Sequence, residues 1–118
     1  AQFSTLLPAA SNEISRLGAL LEWIPAHLAD ALNIEALARQ ARMSPRTLCR
    51  LFNEELGIGP GRYVEQVRLE TARSLLSGGQ VSIATVASLT GYGHSENMRR
   101  TFQKHLSVSP QEYLTRFA

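Results

Sequence analysis

The sequence is poor in cysteine, in charge and in long apolar runs. Its single cysteine, Cys49, excludes a disulfide within the chain and is typical of a reducing compartment such as the cytosol. No apolar run approaches the roughly 18 residues of a membrane helix, and no signal peptide is recognisable. Charged residues make up 19% and hydrophobic residues 44% of the 118 residues, which excludes a disordered or fibrous chain. We expect one cytoplasmic globular domain and, because the first residue is not Met, a fragment of a longer protein.

Residue patterns for catalysis or cofactor binding are also missing. The three histidines, His27, His94 and His105, have no spacing that suits a metal ion. No Ser–His–Asp or Cys–His arrangement and no glycine-rich phosphate loop is recognisable. We therefore predict no enzymatic activity, no metal and no cofactor.

What the sequence does contain is helical periodicity along most of its length. Apolar residues recur at helical spacing and no segment alternates with period two for long, which predicts an all-α fold. Residues 1–12 lack such a period and are predicted to form a linker or disordered tail, with the domain over 13–118. Helices are predicted at about 13–30 with a kink at Pro25, at 61–76, 95–105 and 110–117, and after the N-caps Asn33, Ser44 and Ser82.

One stretch of the sequence occurs twice. FNEELGIGPGRY (52–63) is matched by FQKHLSVSPQEY (102–113), with Phe, Leu, Pro and Tyr at the same places. The match continues backward, and beyond the preceding turn the offset drops from fifty to forty-nine, so the second turn has one extra residue. Each copy contains a short helix, a turn and a longer basic helix, the parts of a helix-turn-helix. We predict such units at about 33–56 and 82–105, with 61–76 as the linker helix.

The turns of the two copies differ at one position. Gly91 suits a turn residue with φ above zero, because it has no Cβ. Its counterpart in the first copy is Arg42, which would have a steric penalty at the same backbone angle. Ala38 and Ala87 are small residues at the predicted crossing of the two helices in each copy.

The basic residues are clustered although the net charge is only +2. No acidic residue interrupts either cluster, and the clusters comprise Arg39, Arg42, Arg46 and Arg50, and Arg99, Arg100 and Lys104. Two basic clusters on a nearly neutral chain indicate a polyanion contacted at two points. Two solvated helix faces are the alternative explanation.

The predicted buried faces leave polar side chains outward that can read base edges. Arg can bond guanine in bidentate fashion, Glu can accept from cytosine, and Asn or Gln can pair with adenine. Internal ion pairs are the alternative, with Arg50 bonded to Glu54 and Arg100 bonded to Glu96 at a spacing of four residues. Arg46 and Arg99 have no obvious acidic partner.

Two segments resemble the C-terminal DNA-binding domain of the AraC/XylS family of bacterial transcription regulators. They are SPRTLCRLFNEELGIGPGRYVEQVRLETARSLL and VASLTGYGHSENMRRTFQKHLSVSPQEY, the second with the family's Gly-aromatic pair as Gly91–Tyr92 and its Arg-x-Phe as Arg100–Phe102. The resemblance covers about residues 14–117. SPRTL, YVEQVRLE and ENMRR look closest to the GlxA-type branch, whose members carry an amidotransferase-like sensor domain. The resemblance implies about seven helices forming two homeodomain-like, AraC-type helix-turn-helix subdomains joined by a long linker helix.

The resemblance also implies a set of DNA contacts. By family position, base contacts fall on Arg46, Cys49, Arg50, Ser95, Glu96, Arg99 and Arg100. Side chains suited to phosphate contacts are Ser44, Thr47, Asn53, Asn97, Gln103 and Lys104. His94 stands where the family often has a small or acidic cap, so Ser95 could cap the helix in place of contacting DNA.

The resemblance further implies the partners of the domain. We expect double-stranded promoter DNA, read in successive major grooves, together with RNA polymerase and an N-terminal sensor domain, and no membrane. The alternative from another class is a helical protein-interaction module whose arginines dock on an acidic protein.

Overall fold

The computed structural model describes residues 8–117, with side chains from residue 12 onward. In this range the structure has seven α-helices and no strand, which confirms the all-α prediction. The helices are α1 (Pro8–Trp23), α2 (Ile34–Ala41), α3 (Pro45–Leu56), α4 (Pro60–Gly78), α5 (Ile83–Leu89), α6 (Ser95–Leu106) and α7 (Pro110–Phe117). None of the helices between residues 8 and 117 is long and apolar enough to cross a membrane.

Helix α1 differs from its predicted span at both ends. It begins at Pro8, so residues 8–12 of the predicted tail are helical, and residues 1–7 lie outside the described part. Alanines in this segment favour a helix without forming an apolar stripe, which is why periodicity placed the start too late. The α-helix ends at Trp23 and a 3₁₀ turn follows at Ile24–His27. Pro25 lies in that turn, as its missing N–H and ring predict.

Side-chain caps start four of the helices where the sequence predicted them. Asn33, Ser44, Ser82 and Ser109 each accept a hydrogen bond from the backbone N–H three residues further on, at 2.8–3.2 Å. The last cap is reciprocal, because the Glu112 carboxylate accepts from the Ser109 N–H at 2.8 Å. This capping box lowers the pKa of Glu112, since the backbone N–H bonds the charged form.

The first of two compact units comprises the described residues up to Ala26 together with Leu32–Tyr63. Phe52 is fully buried in it, and the Tyr63 ring meets the Phe52 ring edge-on at 5.6 Å between centroids. The other buried apolar side chains of this unit include Leu17, Leu20, Leu37, Leu48 and Leu51. Helices α1, α2 and α3 therefore share one core.

The second unit comprises His27–Ala31 and the chain from Val64 onward. Its core joins α4 to α7 and consists of Ala72, Leu76, Val86, Ala87, Met98, Phe102 and Tyr113. Phe102 is fully buried and meets Tyr113 edge-on at 5.9 Å. The duplicated Phe and Tyr of the sequence thus make the same ring contact in each unit.

Equivalent positions of the repeat are buried in both copies, as the sequence alignment of the two halves predicts. The matched pairs, each exposed by 2% or less, are Leu37 with Val86, Ala38 with Ala87, Leu48 with Met98, and Phe52 with Phe102. Burial of the two alanines agrees with a close approach of the two helices in each unit.

The turns between the paired helices also share one backbone geometry. The Met43 N–H donates to the Ala38 carbonyl at 3.0 Å, and the Tyr92 N–H donates to the Ala87 carbonyl at 2.9 Å. Arg42 has φ 58° and its counterpart Gly91 has φ 88°. The first turn therefore does place an arginine in the left-handed region, at a cost of about 1–2 kcal/mol.

Gly91 is required for a second reason, which is space. A Cβ at this position would collide with the Leu28 carbonyl oxygen and would lie 2.6 Å from Nε of Arg68. Arg68 is held there because it donates to the carbonyls of Leu28 and Asp30 at 3.1 and 3.2 Å. Partial burial lowers the pKa of the Arg68 guanidinium, which these two carbonyls hold in place.

We predict that Gly91→Ala lowers the free energy of unfolding by at least about 2 kcal/mol, since backbone strain and a backbone collision add. A urea titration followed by circular dichroism measures the loss. Gly78→Ala is the matched control, because nothing lies within 4 Å of the added Cβ and no positive φ opposes it. Equal effects of the two substitutions would contradict the assigned role of Gly91.

Candidate nucleic-acid interface

The outward face of α3 carries the side chains that the sequence predicted there. Leu48, Leu51 and Phe52 are buried, and the burial turns the opposite face of the helix to solvent. Arg46, Arg50 and Asn53 are exposed on it, whereas Cys49 and Thr47 are half-buried. The exposed face therefore presents two guanidinium groups and one amide.

The three side chains predicted to contact phosphate at α3 already make hydrogen bonds to the helix or to its N-cap. The Ser44 hydroxyl accepts from the Thr47 N–H at 3.1 Å and donates to the Thr47 hydroxyl at 3.0 Å. The Asn53 amide donates to the Cys49 carbonyl at 2.9 Å. These bonds fix the start and the outer edge of α3 before any ligand arrives.

The two arginines of α3 differ in their surroundings. The Arg46 side chain has no hydrogen-bond or ion-pair partner among residues 12–117. Arg50 bonds to Glu54, the pair predicted at a spacing of four residues, at 3.0 Å. It also bonds to Glu13 of α1 at 3.2 Å. Sequence reasoning missed Glu13, because 37 residues separate it from Arg50 and no local pattern connects them.

The outward face of α6 is larger and entirely exposed. Met98 and Phe102 point into the core of the second unit. The exposed side chains opposite them are Ser95, Glu96, Asn97, Arg99, Arg100, Gln103 and Lys104. All predicted contact residues of the second copy are thus exposed on α6.

Ion pairing on α6 differs from the prediction in two ways. Arg99 is not free of an acidic partner, because its Nε and one terminal amino group both bond the Glu96 carboxylate, at 2.9 and 2.6 Å. Glu96 does not bond Arg100, whose guanidinium donates to the Asn97 amide oxygen at 2.8 Å. Spacings of three and four residues both bring side chains together on a helix, and the two-bond fork favours Arg99.

The pKa of Glu96 is lowered by this arrangement. The hydrogen bond from Arg99 is the main cause, and the positive charges of Arg99 and Arg100 add to it. The same bond raises the pKa of Arg99. Glu96 is therefore a carboxylate, an acceptor only, at neutral pH.

The start of α6 is formed without a side-chain cap. His94 occupies the N-cap position and its side chain makes no capping bond. The sequence left open that Ser95 caps the helix in place of His94. Ser95 is instead the first helical residue and does not occupy the N-cap position. The Asn97 amide instead donates to the Tyr92 carbonyl at 3.1 Å, which ties the helix to the preceding turn.

In the described part of each unit, a groove is lined by arginines, and in the second unit also by predicted contact residues. In the second unit a cavity of about 270 Å³ is lined by Ile83, Ser95, Glu96, Arg99, Ser109, Pro110 and Gln111. In the first unit a cavity of about 570 Å³ is lined by Arg16, Ala19, Leu20, Trp23, Arg39, Gln40, Ala41 and Arg42. The second unit's groove adds the start of α7 to the candidate surface.

Within residues 8–117 no group of three or more His, Cys, Asp or Glu could hold a metal ion.

Comparison with known proteins agrees with this geometry. A family model described as a helix-turn-helix domain matches residues 37–116. The HTH-type transcriptional regulator Rv1931c of Mycobacterium tuberculosis is 42% identical over 88 residues, which cover 75% of this chain and 34% of that protein. The HTH-type transcriptional activator RhaS of Escherichia coli is 35% identical over 109 residues, which cover 92% of this chain and 39% of RhaS. The chain thus spans between a third and two fifths of the length of these relatives.

A solved structure has the same fold. The DNA-binding domain of AdpA, a global transcriptional factor crystallised in complex with a target DNA, is 30% identical to this chain with a TM-score of 0.79. The similarity covers 86% of this chain and 91% of that domain.

The fork between Arg99 and Glu96 can be tested by titration. We predict that Arg99→Gln raises the pKa of Glu96 toward its ordinary value and that Arg100→Gln raises it less, because the Arg99 hydrogen bond is the larger cause. Since the folded-state pKa is lowered, the contact is complete at neutral pH and is lost as the pH falls through that pKa. Carboxyl ¹³C NMR measures both shifts, and a larger effect of Arg100→Gln would contradict the assignment.

Proposed function

The chain belongs to the AraC-type helix-turn-helix DNA-binding domains, and we propose that it reads promoter DNA with α3 and α6 in successive major grooves. The family is one of transcription regulators and not of enzymes. The main support for this proposal is that the two units repeat the same arrangement. Each unit buries an equivalent phenylalanine and turns a polar, arginine-bearing helix face to solvent.

We assign base contacts to side chains that can discriminate between base edges. In α3 these are Arg46, Cys49 and Arg50, and in α6 they are Ser95, Glu96, Arg99 and Arg100. The arginines would bond guanine, Glu96 would accept from the amino group of cytosine, and the small Cys49 would fill space beside a base. Arg99 donates two hydrogen bonds to Glu96. The two side chains would therefore meet the bases together, with Arg99 as donor and Glu96 as acceptor.

Phosphate contacts would set the register of each helix on the duplex. We assign them to Ser44, Thr47, Asn53, Asn97, Gln103 and Lys104. The side chains of Lys104 and Gln103 are exposed and make no hydrogen bond within the part of the chain that the structure describes. Ser44 and Thr47 lie at the start of α3, where the positive end of the helix dipole favours an anion.

The parent protein is proposed to be a bacterial cytoplasmic regulator with further partners. Rv1931c and RhaS are both longer than this chain, which supports an additional domain, here proposed to be an N-terminal sensor of the amidotransferase-like type. RhaS is named a transcriptional activator, and contact with RNA polymerase is the corresponding proposal for this domain.

Salt dependence tests the proposal as a whole. We predict that the logarithm of the binding constant falls linearly with the logarithm of salt concentration, by about 0.9 per phosphate neutralised. Fluorescence anisotropy with a DNA fragment obtained by selection measures the slope, and unrelated DNA of equal length is the comparison. A flat dependence, or equal affinity for the two fragments, would overturn sequence-specific DNA binding.

Substitutions of one arginine in each helix separate the two proposed grooves. Arg46→Ala and Arg99→Ala should each weaken binding by roughly 1–3 kcal/mol and relax sequence preference at different half-sites. Selection from a randomised library shows which base pairs lose preference. Arg116→Ala removes an equal charge from α7 and serves as the control. Loss of preference at the same base pairs in both variants would contradict the two-groove arrangement.

A further inference from the structure

Arg50 lies between two carboxylates from different helices. One of its terminal amino groups bonds Glu54 of the same helix at 3.0 Å, and the other bonds Glu13 of α1 at 3.2 Å. We propose that Glu13 determines specificity, because it restricts Arg50 to base edges and keeps it from phosphates. This inference rests on the proposed function and adds a residue upstream of the matched helix-turn-helix region, which begins at residue 37.

Packing of α1 against the first unit holds the backbone of Glu13 in place. About one and two turns further along α1, Leu17 and Leu20 are buried in the first unit. Arg16 donates to the Arg42 carbonyl at 2.7 Å and so attaches α1 to the turn before α3. The Glu13 side chain is 29% exposed, compared with 53% for Glu54, and is therefore less screened by solvent.

The charge balance around Arg50 distinguishes between two kinds of acceptor. A guanidinium has five N–H donors, and the two carboxylates use two of them. A guanine edge offers two neutral acceptors, which can be bonded by the remaining donors while both carboxylates stay in place. A phosphate would instead bring a third negative charge beside Glu13 and Glu54, where like charges repel.

The other arginines of the candidate surface have no such arrangement, and Arg100 donates to the Asn97 amide oxygen. The Arg46 side chain has no partner in the described chain and can donate to either a base or a phosphate. Arg99 uses two donors on a single carboxylate, Glu96, which belongs to its own helix. Among these arginines, Arg50 is thus the one that bonds a carboxylate of a different helix. A substitution in α1 can therefore test the effect without changing α3.

The direct test compares Glu13→Gln with the wild-type chain on a selected DNA site and on unrelated DNA. We expect affinity for unrelated DNA to rise about three- to tenfold, since Arg50 gains a phosphate contact, and the salt slope there to steepen by about 0.9. Affinity for the selected site should change by less than about threefold, so that the specificity ratio falls. Fluorescence anisotropy at several salt concentrations gives all three quantities.

Two controls separate the contact from the change in net charge. Glu22→Gln removes the same charge from an exposed position of α1 and should change the affinity for unrelated DNA by less than about twofold. Glu13→Asp keeps the charge but shortens the side chain, so it should reproduce part of the Glu13→Gln effect. Equal behaviour of Glu13→Gln and Glu22→Gln would overturn the inference, because only bulk charge would then matter.

A double substitution tests whether Glu13 acts through Arg50. In an Arg50→Gln background, Glu13→Gln should have no effect beyond that of Glu22→Gln in the same background. A full Glu13→Gln effect without Arg50 would overturn the inference while DNA binding itself stands. A wild-type chain without sequence-selective DNA binding would instead overturn the proposed function, so the two failures are distinguishable.

Discussion

Burial of one phenylalanine in each unit is the interaction on which the rest of the structure depends. Phe52 and Phe102 are fully buried, and each meets a tyrosine edge-on, Tyr63 or Tyr113, at 5.6 or 5.9 Å. With 3.6 residues per turn, burying this ring and the residue four positions earlier sets the rotation of the helix about its axis. The opposite face is then presented to solvent whatever side chains it carries. The repeated scaffold therefore determines where the candidate surface of each unit lies, and leaves open which side chains that surface carries.

The candidate surfaces of α3 and α6 carry different side chains on that shared scaffold. At equivalent positions, offset by fifty residues, Arg46 corresponds to Glu96, and Cys49 corresponds to Arg99. Only Arg50 and Arg100 are alike, and even these have different neighbours, two carboxylates for the first and an amide for the second. Glu96, an acceptor, thus stands where the first helix has a donor, and Arg99, a donor, stands where it has Cys49. This difference supports the proposed recognition of two unlike half-sites.

Local rules predicted some ion pairs of the candidate site and not others. The pair of Arg50 with Glu54 follows from a spacing of four residues and is present. For Glu96 the same rule favoured Arg100, but the carboxylate bonds Arg99, since a spacing of three residues also allows contact and gives a two-bond fork. Glu13 lay beyond any local rule, because its contact with Arg50 depends on how α1 packs.

The sequence by itself determined the helical class, the caps, the two-fold repetition and the face of each helix that is buried. These features depend on periodicity and on neighbours within about four residues, so they are encoded locally. Only the tertiary structure decided that Arg68 fills the space beside Gly91 and that Glu13 meets Arg50. These contacts join residues 23 and 37 positions apart, whose distance is set by packing of helices and not by spacing along the chain.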